Sequence, residues 1–379
     1  MPRDKGRSPA AVVFGTGIRD SPHMADRSTS NGQKFHPLMR YPAILFCALL
    51  FLATGCHRKQ PQLCLLSDPE PYTTFRVTYY FTRETKIKLT QFEYHDGSGA
   101  TSLEKLTEEQ AHPEINTFHP PVDVYWGGDP IYCEILKERG LTIPYHAAHP
   151  IRSEYRDPND DWTGIAARTR VLLVRNSLKF RERPKSILAY VDPAWHGRGV
   201  LADPLVGTMR SHFAALAVLW GDRKLASFYA DALKNGTRIT KTEAESADLV
   251  VAGKADFALV GSDVALTRIQ KGPVVDIVYP DQEPGELGVM VMPNAVSIMK
   301  GCKDLNVAHR LVDFLTSLEG ERRILSFSPS QVPLQPGLGT SSVNTWRLEE
   351  LHTMHLDYPA AARKILAMDK ILANTAPTN

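Results

Sequence analysis

The chain carries almost no excess of charge of either sign. Its 379 residues include 44 Lys and Arg against 42 Asp and Glu, which gives a formal net charge of +2. A protein that binds a long polyanion usually concentrates basic residues and positive potential on the binding surface. The near balance of charge therefore argues against nucleic acid as a partner.

Cysteine is also scarce, with five in the whole sequence. Beyond Cys56 only Cys64, Cys133 and Cys302 remain, and they are far apart. Such wide, unpatterned spacing predicts neither a disulfide framework nor a zinc site. We expect each of the three to be a small apolar side chain in the interior.

Long apolar runs are rare as well, and no segment after Cys56 is apolar enough to cross a membrane. The one notable run, residues 42–53 (PAILFCALLFLA), is about a dozen residues long, too short to span a bilayer comfortably as a helix. Arg40 precedes it and small residues follow it, which is typical of a secretory signal. Cys56, directly after Ala53-Thr54-Gly55, resembles the acylated cysteine of the bacterial lipoprotein lipobox. The competing interpretation is a buried core helix with an incidental cysteine.

Residues before the signal segment show no lasting apolar period and are rich in Ser, Gly, Pro and Arg. Such a composition cannot bury a core. We therefore predict that residues 1–55 are a disordered leader plus the lipoprotein signal, and that 56–63 form a polar tether. Translation could start at Met1 or at Met39. The mature protein is expected in the periplasm or cell envelope, attached to the membrane through lipid on Cys56.

After the tether, short apolar runs alternate with amphipathic stretches, which predicts an α/β fold with parallel sheets covered by helices. The predicted strands lie near residues 64–66, 87–92, 122–126, 170–175, 255–260, 287–292 and 295–299. The predicted helices lie near residues 72–83, 101–111, 130–139, 209–220, 224–235, 306–318 and 356–372.

Three predicted strand-to-helix junctions share one design: small or hydroxyl residues follow an apolar strand and open a helix. They are residues 126–129 (WGGD), 205–208 (LVGT) and 260–263 (VGSD). In α/β sheets such junctions line the crevice at the carboxyl ends of the strands, where ligands bind. Free N–H groups at the helix starts favour anions. Each motif alone is common in α/β proteins, so the prediction depends on the three converging.

Two arginines, Arg168 and Arg170, lie at the entry to a predicted strand. Alternation along the strand puts both on the same face. A guanidinium fork there could hold a carboxylate, carbonate or phosphate through two hydrogen bonds. The alternative is an ordinary surface ion pair.

Several segments, in order, resemble ferric-iron-type substrate-binding proteins of bacterial ABC importers. They are residues 123–145, 161–178, 202–222, 254–265, 277–301 and 312–325. The resemblance implies a two-lobe periplasmic-binding-protein type II fold with a two-strand hinge. It also implies a solute clamped between the lobes and delivered to a membrane permease.

The chain order that the resemblance implies divides the protein into separate parts. Lobe 1 is expected to comprise 64–169 plus 288–340, and lobe 2 to comprise 170–287. Residues 341–379 are expected to form C-terminal helices that pack on the lobes. The chain should cross between lobes near 168–174 and again near 286–291. We expect a monomer.

The resemblance also implies a set of solute-contacting residues, taken position by position. Arg168 matches an arginine that often holds an anion, and Asp281 and Gln282 fall at the return crossing. The full set is Ser67, Asp68, Trp126, Gly127, Gly128, Arg168, Gly207, Thr208, Ser262, Asp263, Asp281 and Gln282.

The cargo stays open at this point. Ferric-binding relatives typically place adjacent tyrosines where this chain has Ser262 and Asp263, and an acidic residue matching Asp263 occurs in a related branch. A metal–anion complex such as Fe(III) with its anion, another metal, or a small organic anion such as a phosphonate or sugar phosphate would each fit. No resident cofactor and no catalytic residue are expected.

Two other functions compete with that of an importer component. One is a ligand sensor domain that presents its closed form to a membrane receptor. The other is a transferase or hydrolase on the same fold, since fold does not fix function. The enzyme would need a nucleophile, and Cys133 is the cysteine nearest a candidate loop.

Overall fold

A computed structural model of the chain describes residues 62–94, 99–112, 117–118, 120–149, 151–272, 274–340 and 346–373. The predicted leader, the signal segment, Cys56 and all of the tether except its last two residues lie outside these ranges. None of the helices within them is both long and apolar enough to cross a bilayer.

The described strands form one continuous path of hydrogen-bonded neighbours. In chain order they are β1 (Gln62–Ser67), β2 (Lys88–Glu93), β3 (Val124–Gly127), β4 (Thr142–Ile143), β5 (Thr163–Arg175), β6 (Gly199–Ala202), β7 (Arg238–Thr240), β8 (Phe257–Gly261), β9 (Val275–Val278) and β10 (Val291–Met299). Their spatial order is β2-β1-β3-β10-β5-β8-β6-β7, with β4 beside β10 and β9 beside β5.

The helices cover the faces of this path. They are α1 (Pro71–Thr85), α2 (Ala100–Ala111), α3 (Pro130–Glu138), α4 (Gly207–Trp220), α5 (Asp222–Lys234), α6 (Glu243–Val251), α7 (Ser262–Lys271), α8 (Leu305–Thr316), α9 (Leu318–Phe327) and α10 (Tyr358–Leu372). Local sequence explains several starts. Asp129, for example, caps α3 by accepting from the Ile131 N–H, and Pro130 follows it.

Strand β5 divides the path into two lobes. Up to Thr169 it pairs antiparallel with β10, which itself pairs with β3 of the first lobe. From Arg170 onward it pairs with β8 of the second lobe. The chain therefore crosses between lobes inside a single strand, within the range 168–174 that the sequence predicts.

The return crossing lies beside the first one. The N–H of Arg170 donates to the carbonyl of Met290 at 2.9 Å, just before β10 begins. A later segment joins them here, since Val289 forms a parallel bridge with Thr353. Gly288, at φ +79°, makes this contact possible, because a Cβ would lie 2.6 Å from the Thr353 carbonyl carbon.

Helix α10 packs on both lobes. It contacts α3 of the first lobe and α4 and α5 of the second. Its buried residues belong to one apolar cluster that also contains residues of both lobes; they are Tyr358, Ala361, Ala362, Ile365, Met368 and Leu372. Ion pairs flank the contact, with Arg363 near Glu138 at 3.4 Å and Lys364 near Asp222 at 2.6 Å.

Three details differ from the sequence-based expectations. The sheets are mixed rather than wholly parallel, because β10 is antiparallel to β3 and β5 is antiparallel to β8 and β9. In place of the predicted strands 287–292 and 295–299 the structure has a single strand, β10, which begins at Val291 and whose register shifts between Pro293 and Asn294. A proline there breaks the local pattern although the strand continues. Strands β4, β7 and β9 and helices α6 and α9 were not predicted.

The packing of α10 gives a direct stability test. Ile365 is 2% exposed, whereas its neighbour Leu366 is 52% exposed. Ile365→Ala should lower the free energy of unfolding by about 2–5 kcal/mol, because it leaves a cavity in a dense core. Leu366→Ala should change it by no more than about 0.5 kcal/mol. Urea unfolding of both variants checks this, and equal losses would contradict the assigned packing of α10.

Candidate functional site

A cleft opens where the helix starts of the two lobes face each other. Its larger part has a volume of about 630 Å³ and reaches from α1 and the 127–130 loop to α7. The first lobe contributes Asp68 and Gly128, the second lobe contributes Asp263, and Arg168 of β5 lies between them.

A second cavity of about 410 Å³ continues the cleft into the second lobe. Arg168, Asp263 and Val264 border both cavities, so the two are compartments of one site. The other lining residues of the second cavity are Ala202, Val206, Gly207, Thr208, Lys241, Thr242 and Glu243.

Arg168 connects the lobes at the centre of the site. Its Nη2 donates to the carbonyl of Gly128 at 2.7 Å, and its Nη1 lies 3.6 Å from Oδ2 of Asp263. Its Nε is buried and has no hydrogen-bond acceptor among the described residues. The side chain is 14% exposed, so the guanidinium is largely desolvated while still bordering both cavities. Charge-assisted hydrogen bonds are strongest in such surroundings.

The first-lobe wall is fixed by Asp68. Its main-chain N–H donates to the carbonyl of Trp126 at 3.0 Å, and its carboxylate accepts from the hydroxyls of Ser102 and Tyr125. Gly127 permits this arrangement, because a Cβ there would lie 2.8 Å from the Tyr125 ring. Asp68 therefore holds the wall together as well as bordering the cleft.

The second-lobe wall is built from the starts of α4 and α7. Gly207 opens α4 at φ +54°, a conformation that favours glycine. The hydroxyl of Thr208 donates to Glu243, and it also accepts from Arg170 at 3.0 Å. Arg170 reaches the same wall as Arg168, as strand alternation predicts, but it is buried and paired with Glu243 at 2.6 Å.

Ser262 lies behind the wall instead of lining the cavities. Its hydroxyl accepts from the N–H of Thr169 at 3.2 Å and donates to the carbonyl of Ser330 at 3.0 Å. These bonds join the start of α7 to the crossing strand and to the segment after α9. The neighbouring Asp263 is 40% exposed on its side chain and borders the cleft.

Of the twelve residues expected from sequence, six border the two cavities: Asp68, Gly128, Arg168, Gly207, Thr208 and Asp263. Ser67 and Trp126 are fully buried, and Trp126 packs in the first-lobe core. Gln282 bonds to the main chain of Pro280 and His352, and Asp281 accepts from Ile187. These four residues, together with Gly127 and Ser262, are the six expected residues that line neither cavity.

Sequence reasoning missed Lys241, Thr242 and Glu243, which border the second cavity. A signal for this helix start is present, because Thr242 is the N-cap of α6 and accepts from the N–H of Glu245. The spacing Thr-x-x-Glu is that of a capping box. It predicts the helix, although it does not predict that the helix points at the cleft.

The donor set for a metal is sparse. Within the residues that the structure describes, no group of three or more His, Cys, Asp or Glu side chains is arranged to hold a metal ion. Positions 262 and 263, where ferric-binding relatives are expected to supply tyrosines, carry a hydroxyl tied to main-chain atoms and a carboxylate facing Arg168.

Comparison with known proteins shows what the chain is similar to. The family model for bacterial extracellular solute-binding proteins matches residues 159–322. An uncharacterized protein of Haemophilus influenzae is 28% identical over 243 residues, which is 60% of this chain and 65% of that protein. The Fe(3+)-binding periplasmic protein of Serratia marcescens is 22% identical over 298 residues, 72% of this chain and 84% of that protein.

Solved structures agree on the fold. Iron-bound HitA from Pseudomonas aeruginosa is similar with a TM-score of 0.70 and 24% identity, over 83% of this chain and 99% of that one. The periplasmic binding protein AfuA from Actinobacillus pleuropneumoniae, with fructose-6-phosphate bound, has a TM-score of 0.67 and 19% identity, over 83% and 99%. The predicted two-lobe α/β fold with a two-strand hinge is confirmed. The resemblance to ferric-binding-type substrate-binding proteins of ABC importers is confirmed too.

A buried acid beside the site predicts a pH effect. Burial raises the pKa of Asp129, and this outweighs the opposing influence of Ser211, the Ile131 N–H and Arg168. Between the ordinary aspartate pKa of about 3.9 and the raised value, the folded chain holds more protons than the unfolded chain. The free energy of unfolding should therefore fall as pH rises through this range.

Asp129→Asn should reduce that slope, because asparagine keeps the helix cap but does not titrate. Urea unfolding between pH 4 and 8 measures it. Asp231→Asn, at an exposed position of α5, is the matched control and should leave the slope unchanged. An identical slope in Asp129→Asn and the wild type would contradict the prediction.

Proposed function

We propose that the chain is an extracytoplasmic solute-binding lipoprotein that captures a small anionic solute between its lobes and delivers it to an ABC importer. The main observation in support of this proposal is the position of Arg168. Its guanidinium lies on the crossing strand, borders both cavities and contacts groups of both lobes. A solute held there gains contacts in the closed form that the open form cannot supply, and only such a difference can drive closure.

The chemistry of the walls favours an anion with further polar groups. The N-termini of α4 and α7 face the cleft, and Lys241 borders the second cavity. Helix starts and lysine both attract negative charge. Asp263 and Glu70 add carboxylates on the opposite walls of the larger cavity. A phosphate, phosphonate or carboxylate that carries hydroxyl or amine groups suits this mixture.

A metal–anion complex is the second candidate for the cargo. Relatives support it by name, since the Serratia protein is called Fe(3+)-binding and HitA is described as iron-bound. Other relatives favour the organic anion: AfuA has fructose-6-phosphate bound, and a Salmonella typhi relative is called a putative 2-aminoethylphosphonate-binding protein. The sparse donor set supports the organic anion, because hard Fe(III) suits several anionic oxygen ligands and no group of three or more His, Cys, Asp or Glu in the described part of the chain is arranged to hold a metal.

Location and partners follow from the same proposal. The signal segment and Cys56 support a location in the periplasm or cell envelope, with lipid as the only membrane attachment, and the proposed role implies an ABC permease as partner. We propose a monomer without a resident cofactor. Lobe 1 would comprise residues 64–169 and 288–340, lobe 2 residues 170–287, and the C-terminal segment 341–379 would pack on both.

Two alternatives remain for this scaffold. A sensor would use the same cleft but present its closed form to a receptor. An enzyme would need an activated nucleophile, and Cys133 does not suit that role, because it is fully buried in α3 and burial raises the pKa of its thiol. We therefore propose binding without catalysis.

The proposal is tested first by thermal shift with inorganic phosphate, citrate with and without Fe(III), 2-aminoethylphosphonate and fructose 6-phosphate. A ligand at ~1,000 times its Kd should stabilise the chain by roughly 4 kcal/mol. Arg168→Ala should then weaken binding of an anion by about 10- to 150-fold, the equivalent of one hydrogen bond to a charged group. Isothermal titration measures the change.

Arg175→Ala is the matched control, because Arg175 ends the same strand and pairs with Asp256 away from the cleft. Its affinity should equal that of the wild type. If no anion in the panel binds, or if Arg168→Ala binds as tightly as the wild type, the proposed site is wrong.

Lipid attachment is tested separately. Cys56→Ser should release the protein from the membrane fraction when the full chain is expressed in a diderm bacterium, because the acyl chains would have no attachment point. Cys302→Ser, a change at a half-buried cysteine, should leave the protein in the membrane fraction. Membrane association of Cys56→Ser would reject the lipoprotein assignment. Fractionation followed by immunoblotting decides it.

A further inference from the structure

A single carboxylate that borders the second cavity joins three separate elements. Glu243 is the first residue of α6, and its side chain is 12% exposed. Its Oε1 accepts from Nη1 of Arg170 at 2.6 Å and from the hydroxyl of Thr208 at 2.6 Å. Its Oε2 accepts from the N–H of Gly261 at 2.8 Å.

The partners of Glu243 come from distant parts of the sequence. Arg170 belongs to the crossing strand β5, Thr208 is the second residue of α4, and Gly261 is the residue from which α7 starts. The carboxylate therefore ties two of the three strand-to-helix junctions to each other and to the hinge strand. We call Arg170, Thr208, Glu243 and Gly261 the Glu243 network.

The network is a poor candidate for a stability device alone. Arg170 is 1% exposed, and taking a guanidinium and a carboxylate out of water costs about as much as their attraction returns. What the pair does supply is geometry: a hydrogen-bonded charge pair has strict directional requirements. Here those requirements fix the start of α4 relative to the start of α7.

Those two helix starts border the cavity into which Arg168 also projects. Gly207 and Thr208 at the start of α4, and Asp263 and Val264 at the start of α7, all line the second cavity. A displacement of either helix start would move its N–H groups out of reach of a group held by Arg168. Hydrogen bonds weaken steeply over such shifts.

We propose that Glu243, paired with Arg170, is a positioning residue that holds the starts of α4 and α7 so that both can contact the same anionic group as Arg168. The anionic group of the solute then lies in the second cavity, and the remainder of the solute extends into the larger one. The inference rests on the proposed function and goes beyond it, because it names the compartment for the charged group and the residue that shapes it.

The test uses the full-length chain, with inorganic phosphate and fructose 6-phosphate as probes. Glu243→Gln removes the charge and places an amide N–H against the Gly261 N–H, so it should weaken both probes by about 10-fold or more. Asp231→Asn removes one negative charge from an exposed site on the same lobe and should leave both affinities unchanged. Titrations are run well below the melting temperature of each variant.

A double-variant cycle separates positioning from general stability. If Glu243 and Arg168 serve the same anionic group, the loss in Glu243→Gln/Arg168→Ala should be smaller than the product of the two single losses. A purely structural residue would lower the melting temperature of the unliganded protein and leave affinity at 20 °C unchanged. If the affinity loss of the double variant equals the product of the two single-variant losses, the proposal is overturned.

The outcomes distinguish this inference from the proposed function. Unchanged affinity in Glu243→Gln, together with loss in Arg168→Ala, overturns only the positioning role. Unchanged affinity in Arg168→Ala, or no binding of either probe by the wild type, overturns the anion site itself. If Glu243→Gln does not fold, Glu243→Asp keeps the charge but is one methylene too short to reach both Thr208 and Gly261. Wild-type affinity in that variant also overturns the positioning role.

Discussion

The hydrogen bonds of β5 change partner between Thr169 and Arg170, and the geometry of the cleft depends on this change. One strand belongs to the sheets of both lobes, so its side chains keep a fixed place relative to each. Arg168 can therefore contact Gly128 of the first lobe and Asp263 of the second from a rigid base. A loop at this place would leave the guanidinium free to move, and its fixed orientation would be lost.

Main-chain rules made the convergence of the junctions predictable from sequence. The carboxyl ends of neighbouring strands meet at one edge of a sheet, and residues 126–129, 205–208 and 260–263 do lie around one cleft. Side-chain direction was less predictable. Trp126 follows the same rule in its main chain but points into the core, and Ser262 turns its hydroxyl to Thr169 and Ser330. Glu243 could not be found this way, because its pairing with Arg170 spans 73 positions.

The two lobes are joined by polar groups as well as by chain crossings. Ser262 bridges Thr169 and the carbonyl of Ser330, while Arg168 faces Asp263 across the cleft. The Ser262 bonds are buried and involve the main chain, whereas Asp263 is 40% exposed on its side chain. An ion pair at 3.6 Å with one exposed partner is easily exchanged for contacts with a solute, but the buried bonds are costly to break. The Arg168–Asp263 contact therefore suits a cleft that opens, and the Ser262 hydrogen bonds suit a hinge that stays in place.

Helix α10 adds a limit on how far such an opening can go. Its apolar side is shared between α3 of one lobe and α4 and α5 of the other, so swinging them apart would uncover Ile365 and Met368 to water. The cost of that exposure rises with the area uncovered, at roughly 25 cal/mol per Å². Small rotations about the crossing strands would leave the packing of α10 on both lobes intact, whereas a wide opening would break it. Helix α10, none of whose residues borders the two cavities, thus restricts the amplitude of the movement on which the proposed capture and release would depend.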